Sequence, residues 1–136
     1  MTEETHFRGN VTQKAVTFGP AGDVLLVQHP EGKWVIPGGR VNAGESAEAA
    51  LIREMREETS LTVTVERPVL TGTDLWTNDD GEPMFTVVYR CEAEERAVTL
   101  NDEHDDYVWL PPKQAAQRVR GEPLAVAIER AWGGRR

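Results

Sequence analysis

The chain opens with short runs of apolar and β-branched residues. Val11 to Phe18 and Asp23 to His29 are two such runs, separated by Gly19-Pro20-Ala21-Gly22. Turn residues between two β-rich runs predict a hairpin. Trp34-Val35-Ile36 is a brief apolar stretch that stops at Pro37-Gly38-Gly39. The pattern then changes. Ser46 to Thr59 has no Gly or Pro and is rich in Ala, Leu, Met, Glu and Arg, which predicts a helix. Leu61 to Val65, Phe85 to Glu92 and Tyr107 to Leu110 read as further strands. Pro112 suits the first turn of a short helix running to Val119, and Pro123 that of a last helix running to Trp132. Trp34, Trp109 and Trp132 are expected in the core or on the sheet surface. Strands and helices mix without strict βαβ alternation. That order predicts an α+β fold, a mixed sheet between helices. Residues 1–9 are expected to form a flexible N-terminal arm and residues 10–136 a single domain.

At about 100° per residue, Glu54, Glu57 and Glu58 fall on one face of the predicted helix. Leu51, Ile52, Met55 and Thr59 form the neighbouring arc, expected to face the core. Arg53 precedes Glu57 by four positions and is placed to pair with it. The acids crowd the C-terminal turns, where the helix dipole makes each anion cost about 0.3–1 kcal/mol. Glu54 and Glu58 are a like-charge i,i+4 pair, costing roughly 0.2–0.5 kcal/mol more. A solvated face tolerates such penalties, and a divalent cation offsets them. Clustered carboxylates suit Mg²⁺, with Mn²⁺ as the alternative. The residues before the helix favour the cation. Gly38-Gly39 allows close backbone approach to a ligand and offers carbonyl oxygens. Glu45, at the mouth of the helix, is expected to tie down the loop and the helix start.

In this register the sequence resembles the Nudix box, G-x5-E-x7-R-E-U-x-E-E-x-G-U with U aliphatic. Gly39, Glu45, Arg53, Glu54, Met55, Glu57, Glu58 and Leu61 match it, and Trp34 to Gly39 resembles its usual lead-in. Ser60 stands where the family has Gly. The resemblance implies a MutT-like Nudix hydrolase, with an α/β/α sandwich and a Mg²⁺-dependent attack of water on a pyrophosphate. It implies that Glu54, Glu57 and Glu58 bind metal together with the backbone oxygen of Gly39. Glu54 or its neighbour then helps deprotonate water, and Arg53 orients an acid. A further acid from outside the box is expected, and Glu103, six residues before Trp109, is the first choice for metal binding and catalysis. Asp102 and Asp105 are its rivals, and an acidic turn is the plain alternative. His104 is expected as an exposed loop histidine, with a proton relay as the alternative. Arg40 is a candidate phosphate contact, or a surface arginine. Trp76 is a candidate base-stacking residue, or packs on the sheet. Asn78-Asp79-Asp80-Gly81 reads as a hairpin turn. Ser60, just past the helix end, is expected in the left-handed conformation at a cost of about 1 kcal/mol, with activity retained.

Composition narrows the partners. The formal net charge of −8 disfavours binding to a nucleic-acid polymer. A small polyphosphate is compatible if the site supplies its own cations. No apolar run approaches the roughly 18 residues that span a bilayer. The polar, acidic start does not read as a signal peptide, so a cytoplasmic location is expected. The single Cys91 excludes an internal disulfide and a Cys-rich zinc site. The expected substrate is a small nucleotide with a diphosphate linked to a variable group, first a nucleoside triphosphate, oxidised ones included. The alternatives are ADP-ribose, another nucleotide sugar or a dinucleoside polyphosphate, or a nucleotide-binding module without catalysis. The chain lacks the proline about 15 residues past the box that ADP-ribose hydrolases often have, and Pro83 comes too late. A homodimer is compatible with this reading.

Overall fold

A computed structural model describes residues 4–73, 75 and 81–133. Trp76 and the turn residues Asn78-Asp79-Asp80 lie outside the described residues. The elements follow in the order β1 (Asn10–Phe18), β2 (Val24–Gln28), β3 (Trp34–Val35), β4 (Gly38–Arg40), α1 (Ala47–Thr59), β5 (Val63–Gly72), β6 (Met84–Ala93), β7 (Asp106–Leu110), α2 (Pro112–Arg118) and α3 (Glu122–Gly133).

The expected hairpin forms, with Phe18 opposite Val24. β1 also runs parallel to β6, whereas β2 pairs antiparallel with β3 and β7, and β5 with β6. The described strands thus make one mixed sheet of seven, with β3-β2-β1-β6-β5 as its main path. β5 extends beyond the Leu61 to Val65 run and passes through Pro68. It lies at the end of that path, and its pairing with β6 shifts register on both sides of Pro68. An outer strand with such irregularities tolerates the missing N–H.

Side chains alternate across the sheet, so each face builds its own core. Val16, Phe18, Leu26 and Val88 pack with Leu124, Ala127 and Ile128 of α3 and Ala115 of α2. Ala15, Leu25 and Cys91 pack on the other face with Leu51 and Met55 of α1. The α+β sandwich expected from the element order is therefore present, and Leu51, Met55 and Thr59 are buried on the inner side of α1. Trp132 departs from expectation: it lies in the last turn of α3 and is 49% exposed. No helix of the described residues is long and apolar enough to cross a membrane.

Both ends of α1 are closed by serines. The Ser46 hydroxyl accepts a hydrogen bond from the Ala49 N–H at 3.1 Å, as an N-cap does. Ser60 ends the helix at φ 66°, the one positive φ of a non-glycine among the described residues. Its N–H donates to the Arg56 carbonyl and its hydroxyl to the Thr99 carbonyl at 3.2 Å.

One edge of β1 is shared. Thr12, Gln13 and Lys14 face Arg40, Gly39 and Gly38 of β4, whereas Phe18 faces β2. The Ala15 N–H bridges the gap by donating to the Pro37 carbonyl at 2.9 Å. At Gly38 any Cβ would overlap the Gln13 carbonyl and crowd Lys14 Cα at 2.7 Å, so glycine lets β4 lie this close to β1. The candidate site opens at this fork.

Candidate active site

Arg53 organises the outer part of the site from the middle of α1. Its Nε and Nη2 donate to the two carboxylate oxygens of Glu45 at 2.6 and 2.9 Å. Its Nη1 donates to Glu54 at 2.9 Å and to Glu57 at 3.3 Å, and Nη2 reaches the Arg40 carbonyl at 3.3 Å. The pairing with Glu57 four residues on is present, but the two-pronged bond to Glu45 is shorter. Glu45 also accepts from the Asn42 N–H at 2.9 Å, so it ties the loop to the helix start. The Arg53 bonds, then the Asn42 N–H, hold the Glu45 carboxyl down at about 2.

Glu54 lies against Gly39, where a Cβ would overlap its carboxylate. Burial raises the Glu54 pKa, Arg53 opposes that, and the charges of Glu57 and Glu103 add to it. Arg40 is exposed at the end of β4.

One turn further, Glu58 is 2% exposed. Burial, reinforced by the facing Glu103 carboxylate, pushes its pKa up to about 9. Its Oε1 lies 3.7 Å from His104 Nδ1. Glu58 Oε2 and His104 Nδ1 are buried without a hydrogen-bond partner. His104 is not the exposed loop histidine expected from the sequence, because its side chain is 9% exposed. Burial lowers its pKa, opposed first by Glu103.

The loop carrying Glu103 and His104 is docked on the end of α1. Thr99 and Asn101 donate their N–H groups to the carbonyls of Thr59 and Glu58 at 3.0 and 3.3 Å, satisfying groups that a helix end leaves open. The Asn101 side chain then accepts from the Glu103 N–H at 3.1 Å. Glu58, Glu103 and His104 thereby present donor atoms within 4.8 Å of one another. Of the rival acids, Asp102 lines the same cleft, whereas the Asp105 N–H is bonded to the Gln28 carbonyl. Two close carboxylates, one with an orphaned buried oxygen, form a donor set that fits a divalent cation. Glu57, 55% exposed, stands outside this cluster.

The cleft over these acids has a volume of about 360 Å³, with Lys14, Gly38, Glu58, Asp102, Glu103 and His104 among its lining. A neighbouring cavity of about 440 Å³ is bordered by Lys14, His29, Lys33, Val35, Arg120 and Leu124 among others. The sequence reading missed Lys14 and His29, which line both. A lysine inside the β-rich run Val11 to Phe18 was the available signal. Gly38 lines the cleft, while Gly39 backs Glu54.

The family model for the NUDIX domain matches residues 10–130. The chain is similar to the nucleoside triphosphatase NudI of Salmonella paratyphi B, at 34% identity over 98 residues, 62% of this chain and 66% of the relative. It thus spans just under two thirds of that relative's length. The fold matches the MutT protein of Methanosarcina mazei Go1 with a TM-score of 0.76 at 22% identity, over 93% of this chain and 96% of the other. The NUDIX domain of Shewanella oneidensis NrtR, solved in complex with ADP ribose, matches with a TM-score of 0.76 at 26% identity, over 95% and 90%. Because the domain match runs from β1 through α1 and β7 into α3, this protein belongs to the Nudix hydrolase family.

Proposed function

We propose that this chain is a Mg²⁺-dependent pyrophosphohydrolase of small nucleotides, with nucleoside triphosphates, oxidised ones included, as first substrates. The observation that carries this reading is the buried Glu58 with its unpartnered oxygen, facing Glu103 and His104 in an open cleft beside Glu54. A buried carboxylate oxygen without a hydrogen-bond partner is costly, and a cation-binding role gives that cost a reason. The similarity to a nucleoside triphosphatase supports the substrate class.

Glu54, Glu57, Glu58 and Glu103 would hold the ion, with the backbone oxygen of Gly39. Mn²⁺ is the alternative metal. When bound, such an ion lowers the pKa of water and neutralises phosphate charge. The chain's own groups supply the rest. Arg53 orients Glu54, and burial makes that carboxylate a stronger base than a free one. Glu54 takes the proton of the attacking water. The new bond forms from water oxygen to phosphorus, and the bond to the bridging oxygen breaks, releasing the second phosphate group with that oxygen. Arg40 contacts a phosphate, and Trp76 stacks on the base. A cytoplasmic location, an arm at residues 1–9 and a single domain over 10–136, with a homodimer as an admissible assembly, complete the proposal.

A second reading has its own observation. The NrtR domain was solved with ADP ribose. ADP-ribose and dinucleoside polyphosphates therefore belong in the substrate panel. A nucleotide-binding module without catalysis is disfavoured, since Glu54, Glu57 and Glu58 are all kept.

The test is phosphate and pyrophosphate release from such a panel, with and without Mg²⁺. Turnover is expected only with the metal and is expected to fall at least about 100-fold in Glu57→Gln and Glu58→Gln. Undiminished turnover in both variants overturns the metal assignment. No turnover by the wild type on a broad panel overturns the hydrolase reading in favour of a nucleotide-binding module.

A further inference from the structure

The acid cleft and the larger cavity share Lys14 and His29. The two halves differ in charge. Glu58, Asp102 and Glu103 border the first; Lys33 and Arg120 border the second beside the apolar Val35 and Leu124, with Glu31 as its one acid among the described residues, 3.4 Å from the Lys33 ammonium. Lys14 stands in β1 opposite Gly38 and is half-buried. Burial lowers the Lys14 pKa, and the charges of Glu58 and then Glu103 oppose that by favouring the ammonium.

A polyphosphate anchored at the acid cleft has more negative charge than one divalent ion neutralises. Its remaining oxygens need donors beyond the metal. A lysine offers a compact positive charge with three donors on a flexible stem. We infer that Lys14 binds substrate, its ammonium contacting the phosphate that passes from the acid cleft into the neighbouring cavity. This inference rests on the pyrophosphohydrolase reading. It competes with a simpler role, in which Lys14 only balances Glu58 and Glu103 in the folded protein.

The experiment titrates inorganic pyrophosphate, in the presence of Mg²⁺, into the wild type and into Lys14→Met, Lys14→Gln, Lys14→Arg and Lys113→Met. Lys113 lies on α2, away from the residues lining either cavity, and controls for net charge. Loss of a charge-assisted contact is expected to weaken pyrophosphate binding at least about tenfold in the Met and Gln variants. Lys14→Arg is expected within about threefold of wild type, and Lys113→Met unchanged. Mg²⁺ titrated alone is expected to bind the Met and Gln variants no more weakly than the wild type. Thermal melts identify which variants fold. A folded Met or Gln variant that binds pyrophosphate within about twofold of wild type overturns the inference, as does a wild type that does not bind it. A lower melting temperature with unchanged pyrophosphate affinity assigns Lys14 to the simpler role. The two readings fail separately. Wild-type turnover on the nucleotide panel with unchanged pyrophosphate affinity in the variants sinks the Lys14 role alone. A lysine-dependent affinity without turnover sinks the hydrolase reading alone.

Discussion

Arg53 grips Glu45 with two hydrogen bonds of 2.6 and 2.9 Å across the start of α1. The same guanidinium then reaches Glu54 and Glu57, so the mouth of the loop and the acid face of the helix move as one unit. The grip requires an ionised Glu45. Its pKa is about 2 in the folded protein, against an ordinary value of 4.5. A lowered carboxyl pKa adds stability that is fully present above the ordinary value and is lost as pH falls through the folded value. Wild type is therefore expected to melt above Glu45→Gln at pH 7, with the gap shrinking between about pH 4.5 and 2. A gap independent of pH in this window would show that charge is not what Glu45 contributes.

Gly38 and Gly39 are adjacent, yet alanine at each should fail in a different way. At Gly38 the added Cβ meets the backbone of Gln13 and Lys14, which cannot move without parting β4 from β1. Gly38→Ala is expected to cost about 1–3 kcal/mol, as overpacking does, and to lower the melting temperature by several degrees. At Gly39 the atoms nearest the Cβ belong to the Glu54 carboxylate, the far end of a side chain rather than backbone. Gly39→Ala is expected to melt within about 2 °C of wild type while losing at least about tenfold in kcat. Equal melting temperatures for the two variants would contradict this division.

Ser60 adopts the conformation that glycine takes without strain, but its hydroxyl also reaches Thr99 on the loop that leads to Glu103. Glycine relieves roughly 1–2 kcal/mol of backbone strain. It gives back part of that through a freer unfolded chain and the lost bond. Ser60→Gly is thus expected to raise the melting temperature by only about 1–3 °C. Ser60→Ala keeps the strain and loses the bond, so it is expected to melt below wild type. Both should retain turnover. Differential scanning calorimetry reads the order, and a Gly variant less stable than wild type would overturn the strain argument.

Cys91 is fully buried between β6 and α1, and burial pushes its thiol up to about 12. Thiolate is the reactive form, so the native protein is expected to resist an aromatic disulfide reagent. It should react with one equivalent once unfolded in guanidinium. Prompt reaction of the native state would show that this core opens far more readily than its packing implies.

Much of this molecule was legible because it depends on neighbours in the chain. The span of α1, the β1–β2 hairpin and the left-handed Ser60 all follow from interactions within a few residues. The register of Arg53 to Glu58 follows from helical periodicity in the same way. What lay beyond reach depends on strand pairing between distant segments. The sequence places Glu54, Glu57 and Glu58 on one face, but only packing leaves Glu57 exposed and Glu58 nearly sealed. His104 was misjudged for the same reason, since its loop docks on a helix end more than forty residues away in the chain. Lys14 entered the site only because β4 displaces β2 from that part of β1. The sequence by itself determined which acids are present and how the helix spaces them. The tertiary structure decided which of them lose their water, because burial and sheet register are properties of the whole packed chain.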